Sequence, residues 1–113
     1  MLMGKNEKPT PKEEFSFVED NYSGEKYHFT MKGQVAAKEA SHTEFKLGQA
    51  IEAGARHIVI NMYNVKSFSS AGIRVILSMY KKLKGLGGSL RIEKPSENVC
   101  NVIGMVALDE LLL

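Results

Sequence analysis

The chain has 113 residues, 43% of them apolar and 25% charged, so it is long enough for one globular domain and too short for two. Its net charge of +2 is small and its cations and anions are interleaved, which argues against the basic stripe of a nucleic-acid-binding protein. No apolar run is long enough to span a membrane, the start is too polar for a signal peptide, and the single cysteine excludes an internal disulfide, so we expect a cytoplasmic protein.

The first residues differ in composition from the rest. Residues 1–14 are polar and rich in Lys and Glu, include Pro9 and Pro11, and show no apolar period. Such a segment buries too little apolar surface to offset the entropy lost on ordering. The sequence therefore predicts a flexible tail over 1–14 and a folded domain over 15–113.

A β-hairpin is predicted next. Residues 15–18 and 27–32 alternate apolar and polar side chains, and turn-forming residues, including Gly24, separate them. Gly33 is expected to end the second strand. We interpret His28 as a strand-surface residue rather than a metal ligand, because no other ligand type is spaced near it.

A helix and a buried strand follow. The helix is predicted over 37–53 and ends before Gly54, a suitable C′ residue. Its apolar face carries Leu47, Ala50 and Ile51. The apolar, β-branched run at 57–62 predicts a buried strand.

Two serines, Ser69 and Ser70, lie where this strand gives way to the next helix. That helix is predicted over 72–84 from apolar residues at helical spacing, which are Ile73, Ile76, Leu77, Tyr80 and Leu83. The N-terminus of a helix has unpaired N–H groups and a partial positive charge. It can hold a capping hydroxyl or a phosphate, and the spacing alone leaves both functions open.

The last elements complete an α/β pattern. A strand is predicted over 89–93, and a short helix follows, with Ser96 as N-cap, Cys100 as a small core or boundary residue and Gly104 at its end. The order β-β-α-β-α-β-α predicts a mixed sheet of four or five strands with helices mainly on one side. The apolar segment 106–113 must pack on its own core or on another chain, and a weak homo-oligomer through it is one expected outcome.

Motifs typical of catalysis are missing. The sequence has no phosphate-binding glycine motif and no metal-ligand spacing, so we expect neither cofactor nor metal. A nucleophile elbow would put a serine between glycines, and here only Gly72 follows the pair. The three histidines give neither serine an obvious base. These observations predict a protein that is not an enzyme.

The segment around the serines resembles the signature of STAS domains, and specifically of single-domain bacterial anti-sigma-factor antagonists. That signature is a strand, a loop of the D-S-S/T-G or S-S-A-G type, and a helix reading L-x-V-L-L, and residues 68–77 resemble it. Weaker similarities follow in the same order at 80–88, 95–99 and 107–109, and Gly33 begins a segment similar to the family's G-E-L-D. The resemblance covers residues 15–113 and implies a single STAS-like domain.

The resemblance implies partner switching. In this family the unphosphorylated antagonist binds an anti-sigma factor that is also a serine kinase, phosphorylation of a loop serine releases it, and a PP2C-type phosphatase resets it. By motif position the acceptor is Ser70, with Ser69 the weaker candidate. The residues implied to bind the partner are Gln34, Ala36, Ser69, Ser70, Ala71, Gly72, Ile73 and Arg74.

Two departures from the family pattern leave alternatives open. Ser69 and Ala36 stand where many members have Asp. In addition, we expect the family's usual final helix to be missing. A non-switching STAS scaffold or ligand-binding module, as in transporter-associated members, is the alternative function. Helix capping by both serines, and tight packing of Ala71 and Gly72 on their own sheet, are the alternatives that need no partner.

Overall fold

The computed structural model describes residues 14–105, which form four strands and three helices. In chain order these elements are β1 (Ser16–Ser23), β2 (Lys26–Val35), α1 (Ala37–Glu52), β3 (His57–Phe68), α2 (Ser70–Gly85), β4 (Ser89–Glu93) and α3 (Glu97–Met105). The tail predicted over 1–14, except for residue 14, and the apolar segment 106–113 lie outside the described residues. Within residues 14–105, no helix is long and apolar enough to cross a membrane.

The four strands form one mixed sheet in the order β1-β2-β3-β4. Strands β1 and β2 are an antiparallel hairpin whose turn contains Gly24 at φ +63°, whereas β2, β3 and β4 are parallel. Helices α1 and α2 supply the two crossovers between parallel strands, as parallel pairing requires. The structure confirms the predicted α/β class and mixed sheet, with four strands among the described residues.

Alternation along the strands separates two faces of the sheet. Along β3, for example, Ile58, Ile60 and Met62 are fully buried, while the residues between them are only half-buried. The buried set joins the apolar faces of the helices in one core, whose largest side chains are Phe29, Met31, Leu47, Ile58, Ile60, Met62, Ile76, Leu83, Leu90, Ile92 and Ile103. The opposite face, called the outer face below, carries Asp20, His28, Thr30, Val59, Asn61, Arg91 and Glu93.

Three strands run further than their local pattern predicts. The first strand continues to Ser23, and β2 passes through Gly33 instead of ending there. Gly33 has φ +93° beside a β-bulge, so this glycine bends the strand without terminating it. Strand β3 reaches Phe68, and α2 starts at Ser70 rather than at Gly72. Pairing with neighbouring strands extends these elements.

The helices define the buried stripe of α2 and correct one prediction about a side chain in α3. The buried stripe of α2 consists of Gly72, Val75, Ile76, Met79, Tyr80 and Leu83. Ile73 and Leu77, which belong to the predicted helical pattern, are half-buried at the border of this stripe. In α3, Ser96 does cap the helix by accepting the Val99 N–H (3.2 Å), but Cys100, expected in the core or at its boundary, is exposed.

Candidate functional site

The junction between β3 and α2 consists of one residue, Ser69. Its backbone is extended (φ −76°, ψ 169°), and its N–H donates to the Val35 carbonyl at 2.9 Å, so the end of β2 holds the junction in place. The Ser69 Oγ accepts the Gly72 N–H at 3.2 Å. This is N-cap geometry, and it satisfies one of the unpaired N–H groups at the start of α2.

Ser70 lies in a different environment. It is the first residue of α2 and is exposed, and its hydroxyl forms no hydrogen bond with any residue that the structure describes. The structure therefore distinguishes the two serines, which the sequence could not separate on physical grounds. Ser69 caps the helix, and Ser70 presents a free hydroxyl at its N-terminus.

Replacing each serine by alanine should separate these roles. Ser69→Ala is expected to lower the free energy of unfolding by about 1 kcal/mol, because it leaves the Gly72 N–H without its acceptor. Ser70→Ala should change it by less than about 0.5 kcal/mol, since no hydrogen bond is lost. Urea denaturation of the two variants measures both values. Equal losses would show that Ser69 is not the cap.

Strand pairing brings the other predicted residues to the same edge of the sheet. Gln34 pairs with Ser67 in the parallel ladder, and the chain then turns at Ala36, the N-cap residue of α1. Both helices therefore begin at the carboxyl ends of neighbouring strands, with their N-termini facing the same edge. Alanine offers no capping oxygen, and the Ala36 N–H instead donates to the Glu39 carboxylate at 3.2 Å.

The charges around Ser70 favour an added anion. The first turn of α2 contains no acidic residue. Arg74 is exposed and lies four positions after Ser70, on the same side of the helix, where side chains at i and i+4 can meet. Arg74 forms no ion pair with any residue in the described part of the chain, so its guanidinium is available.

A groove runs between α1 and α2 beside these residues. Its volume is about 290 Å³, and its lining is Ala37, Ala40, Ser41, Glu44, Ala71, Arg74, Val75 and Ser78. Small side chains form most of this lining, and Glu44 and Arg74 supply one charge from each helix. Glu39 and Glu44 were not singled out from the sequence. Only Glu39 had a signal, a glutamate three residues after the N-cap position.

The predicted partner-binding residues differ in how much they expose. Gln34, Ala36, Ser70 and Arg74 are exposed, whereas Ser69, Ala71 and Ile73 are half-buried. Gly72 is buried, and a Cβ there would lie 2.9 Å from the Phe68 ring and 3.1 Å from Val35. Its lack of a side chain therefore serves packing on its own sheet, and it offers little surface to another molecule.

The histidines are engaged elsewhere among the described residues. His28 contacts two carboxylates on the outer face, His57 Nδ1 lies 3.0 Å from the Ser89 hydroxyl, and the His42 ring packs edge-on against Phe15 at 5.9 Å. None of them bonds either serine. What the site offers is an exposed hydroxyl, a helix N-terminus and a free guanidinium.

Comparisons with known proteins by sequence and by structure point to the same fold. Residues 21–112 match the family model described as the STAS domain. The structure is similar to SpoIIAA, an anti-sigma factor antagonist, in its unphosphorylated form, with a TM-score of 0.80 and 18% identity over 87% of this chain and 86% of that one. Bacillus SpoIIAA in the phosphorylated form gives a TM-score of 0.74 and 16% identity over 87% of this chain and 89% of that one. An anti-sigma factor antagonist from Mycobacterium paratuberculosis gives a TM-score of 0.76 and 17% identity over 88% of this chain and 83% of that one.

Proposed function

The chain belongs to the STAS domain family, and on that premise we propose that it is an anti-sigma-factor antagonist that acts by partner switching at Ser70. Unphosphorylated, it binds an anti-sigma factor with serine kinase activity in the cytoplasm. Phosphorylation of Ser70 releases it, and a PP2C-type phosphatase restores the binding form. The observation that carries this proposal is the exposed Ser70 hydroxyl, unbonded among the described residues, at the N-terminus of α2.

Local electrostatics support a stable phosphorylated state. A phosphate adds about −1.5 to −2 charges and three strong acceptors. At Ser70 it meets the positive end of α2, where the Ser69 Oγ occupies only the Gly72 N–H. Arg74 lies within reach on the next turn, where an ion pair at i and i+4 can form. No carboxylate in the first turn of α2 opposes the added charge.

The same charge gives a reason for release. Ala71 and Ile73 flank Ser70 with half-exposed apolar surface, which a docked partner would cover. A phosphate trapped in that contact would lose its hydration without gaining a matched cation from the partner, and such burial is costly. Pairing with the phosphate would also withdraw Arg74 from the partner. The unphosphorylated form is therefore the binding form.

Phosphate mapping tests the modification directly. The full chain is incubated with ATP and the anti-sigma factor kinase from the same organism, and the products are mapped by mass spectrometry. One phosphate is expected, on Ser70, and none should be incorporated by Ser70→Ala. The matched control is Ser67→Ala, an exposed serine at the end of β3, which should be labelled like the wild type. A phosphate on another residue, or unchanged labelling of Ser70→Ala, contradicts the proposal.

One observation favours the alternative of a ligand-binding STAS module. A cavity of about 480 Å³, within the range typical of ligand sites, lies at the opposite end of β3. Its walls include Tyr22 and Tyr27, whose rings stack at 5.1 Å. Purification from the native host separates the two functions. A kinase that copurifies supports the antagonist, whereas a bound small molecule or transporter subunits support the module.

A further inference from the structure

One imidazole links β1 and β4, the two edge strands of the four-stranded sheet. His28, on β2, places Nδ1 2.8 Å from Asp20 Oδ2 on β1 and Nε2 3.0 Å from Glu93 Oε2 at the end of β4. Asp20 is the extra residue of a β-bulge, since the register passes from Glu19 directly to Asn21. The bulge turns the Asp20 carboxylate onto the outer face, towards the ring. The bridge therefore spans the whole width of the four-stranded sheet.

The two contacts require different numbers of protons on the ring to act as hydrogen bonds one at a time or together. A neutral imidazole has one N–H and one lone pair, so it can donate to only one of two carboxylates. Both accepting oxygens also receive a neutral donor, the Thr30 hydroxyl at Asp20 Oδ2 and the Asn61 amide at Glu93 Oε2. With both carboxyl groups ionised, these oxygens can only accept, so both contacts are hydrogen bonds only when the ring carries a proton on each nitrogen.

We propose that Asp20, His28 and Glu93 form a proton-operated clamp across the outer face. With both ring nitrogens protonated, the clamp holds β1 and β4 to β2. When His28 loses one proton, the lone pair of one ring nitrogen faces a carboxylate. That hydrogen bond is lost, so either β1 or β4 is released from the ring. Among residues 14–105, β1 and β4 are the strands at the two edges of the sheet, where each pairs with a single neighbour. The inference does not depend on switching at Ser70.

The three side chains form a bridge and not a metal site. The two carboxylates contact opposite nitrogens of the ring, so the groups do not converge on one point. Within residues 14–105, no group of three His, Cys, Asp or Glu side chains could hold a metal ion. A proton on the imidazole accounts for the arrangement without any other ligand.

The charged and titratable side chains that face His28 come from all four strands. Strand register and hydrogen bonding place on its side of the sheet Asp20 of β1, Lys26 and Lys32 of β2, His57 of β3, and Arg91 and Glu93 of β4. Burial is the largest single influence on the pKa of His28 and lowers it. Hydrogen bonds and Coulomb attraction from Glu93 and Asp20 together outweigh it, and the net result is a pKa raised from 6.5.

The raised pKa sets the direction of the pH dependence. A group whose pKa is higher in the folded state binds its proton more tightly there, so protonation stabilises the fold. This contribution is complete below the unfolded value of 6.5 and is lost as the pH rises through the higher folded value. The clamp therefore loosens as the pH rises above 6.5 and through the raised pKa of His28.

Titration of the histidine ring protons by NMR is the primary test. In the folded full chain, His28 should titrate at a higher pH than it does in the same chain unfolded in urea. Asp20→Asn and Glu93→Gln should each lower the folded value, because each removes one of the two negative partners. A folded value at or below the unfolded one, or no shift in either variant, would overturn the proposal.

Unfolding measured against pH gives a second readout. Between pH 5.5 and 8.5 the urea midpoint of the wild type should fall more than that of His28→Gln, which lacks the titrating ring. The matched control is His57→Gln, which removes an imidazole on the same face that contacts a neutral hydroxyl. That variant should keep the wild-type slope, and a loss of slope in both variants would contradict a role specific to His28. If His28→Gln does not fold, the wild-type NMR titration still decides.

Discussion

Ser70→Asp is expected to raise the dissociation constant for the anti-sigma factor kinase by about 30-fold or more relative to the unphosphorylated wild type. This corresponds to a loss of about 2–3 kcal/mol of binding free energy. Ser70 lies beside half-exposed apolar residues, so a carboxylate there would be desolvated in the complex without gaining a matched cation from the partner. Ser70→Ala should bind within about threefold of wild type, because the hydroxyl forms no hydrogen bond among the described residues. Isothermal titration calorimetry with ADP in place of ATP measures both without phosphorylation.

A charge-matched control locates the effect. Ser23→Asp makes the same chemical change at an exposed residue at the end of β1, at the edge of the sheet opposite to Ser70, and should bind like the wild type. If Ser23→Asp weakens binding as much as Ser70→Asp, the effect is one of net charge. If Ser70→Ala loses binding while Ser70→Asp retains it, the partner selects the phosphorylated form and the direction of the switch is reversed.

Local patterns sufficed for the fold class and for several helix ends. Alternation over 27–32 identified the buried face of β2, and helical spacing identified α1 and three of its buried residues, because both patterns depend on neighbours in sequence. Gly54, at φ +112° after the C-cap Ala53, and Ser96, which caps α3, were recognised for the same reason. The order of these elements then restricts the sheet to few topologies.

The division of labour between Ser69 and Ser70 could not be predicted in this way. Which serine caps α2 depends on the residue at which the helix begins, and the predicted start was two residues late. The true start is set by β3, whose last residue, Phe68, pairs with Val35 more than thirty positions earlier. Only the tertiary structure supplies that pairing.

The contacts of His28 also depend on residues distant in sequence and could not be predicted from local patterns. The sequence interpretation as a surface residue rather than a metal ligand rested on the absence of other ligand types nearby. Its two partners lie 8 and 65 positions away, and a β-bulge aims one of them. Neither periodicity nor spacing contains that information, so such a bridge can be found only once the sheet is assembled.

Close packing at the start of α2 makes Gly72 the most sensitive position near the site. A Cβ on Gly72 would lie 2.9 Å from the Phe68 ring and 3.1 Å from Val35, two buried residues paired across β2 and β3. Gly72→Val is expected to lower the free energy of unfolding by about 2–3 kcal/mol, because neither neighbour can move away without disturbing the core. Urea denaturation of the full chain measures the loss.

Gly48→Val is the matched control, since α1 and α2 have the same length of 16 residues and a Cβ on Gly48 would meet nothing within 4 Å. Valine and glycine differ little in helix propensity, so this variant should stay within about 0.5 kcal/mol of wild type. A large loss at Gly72 alone shows that the helix presenting Ser70 is seated directly on the last residues of β2 and β3. Equal stability of the two variants would mean that the start of α2 shifts to accommodate the valine at little cost. Ser70 would then lack a rigid support.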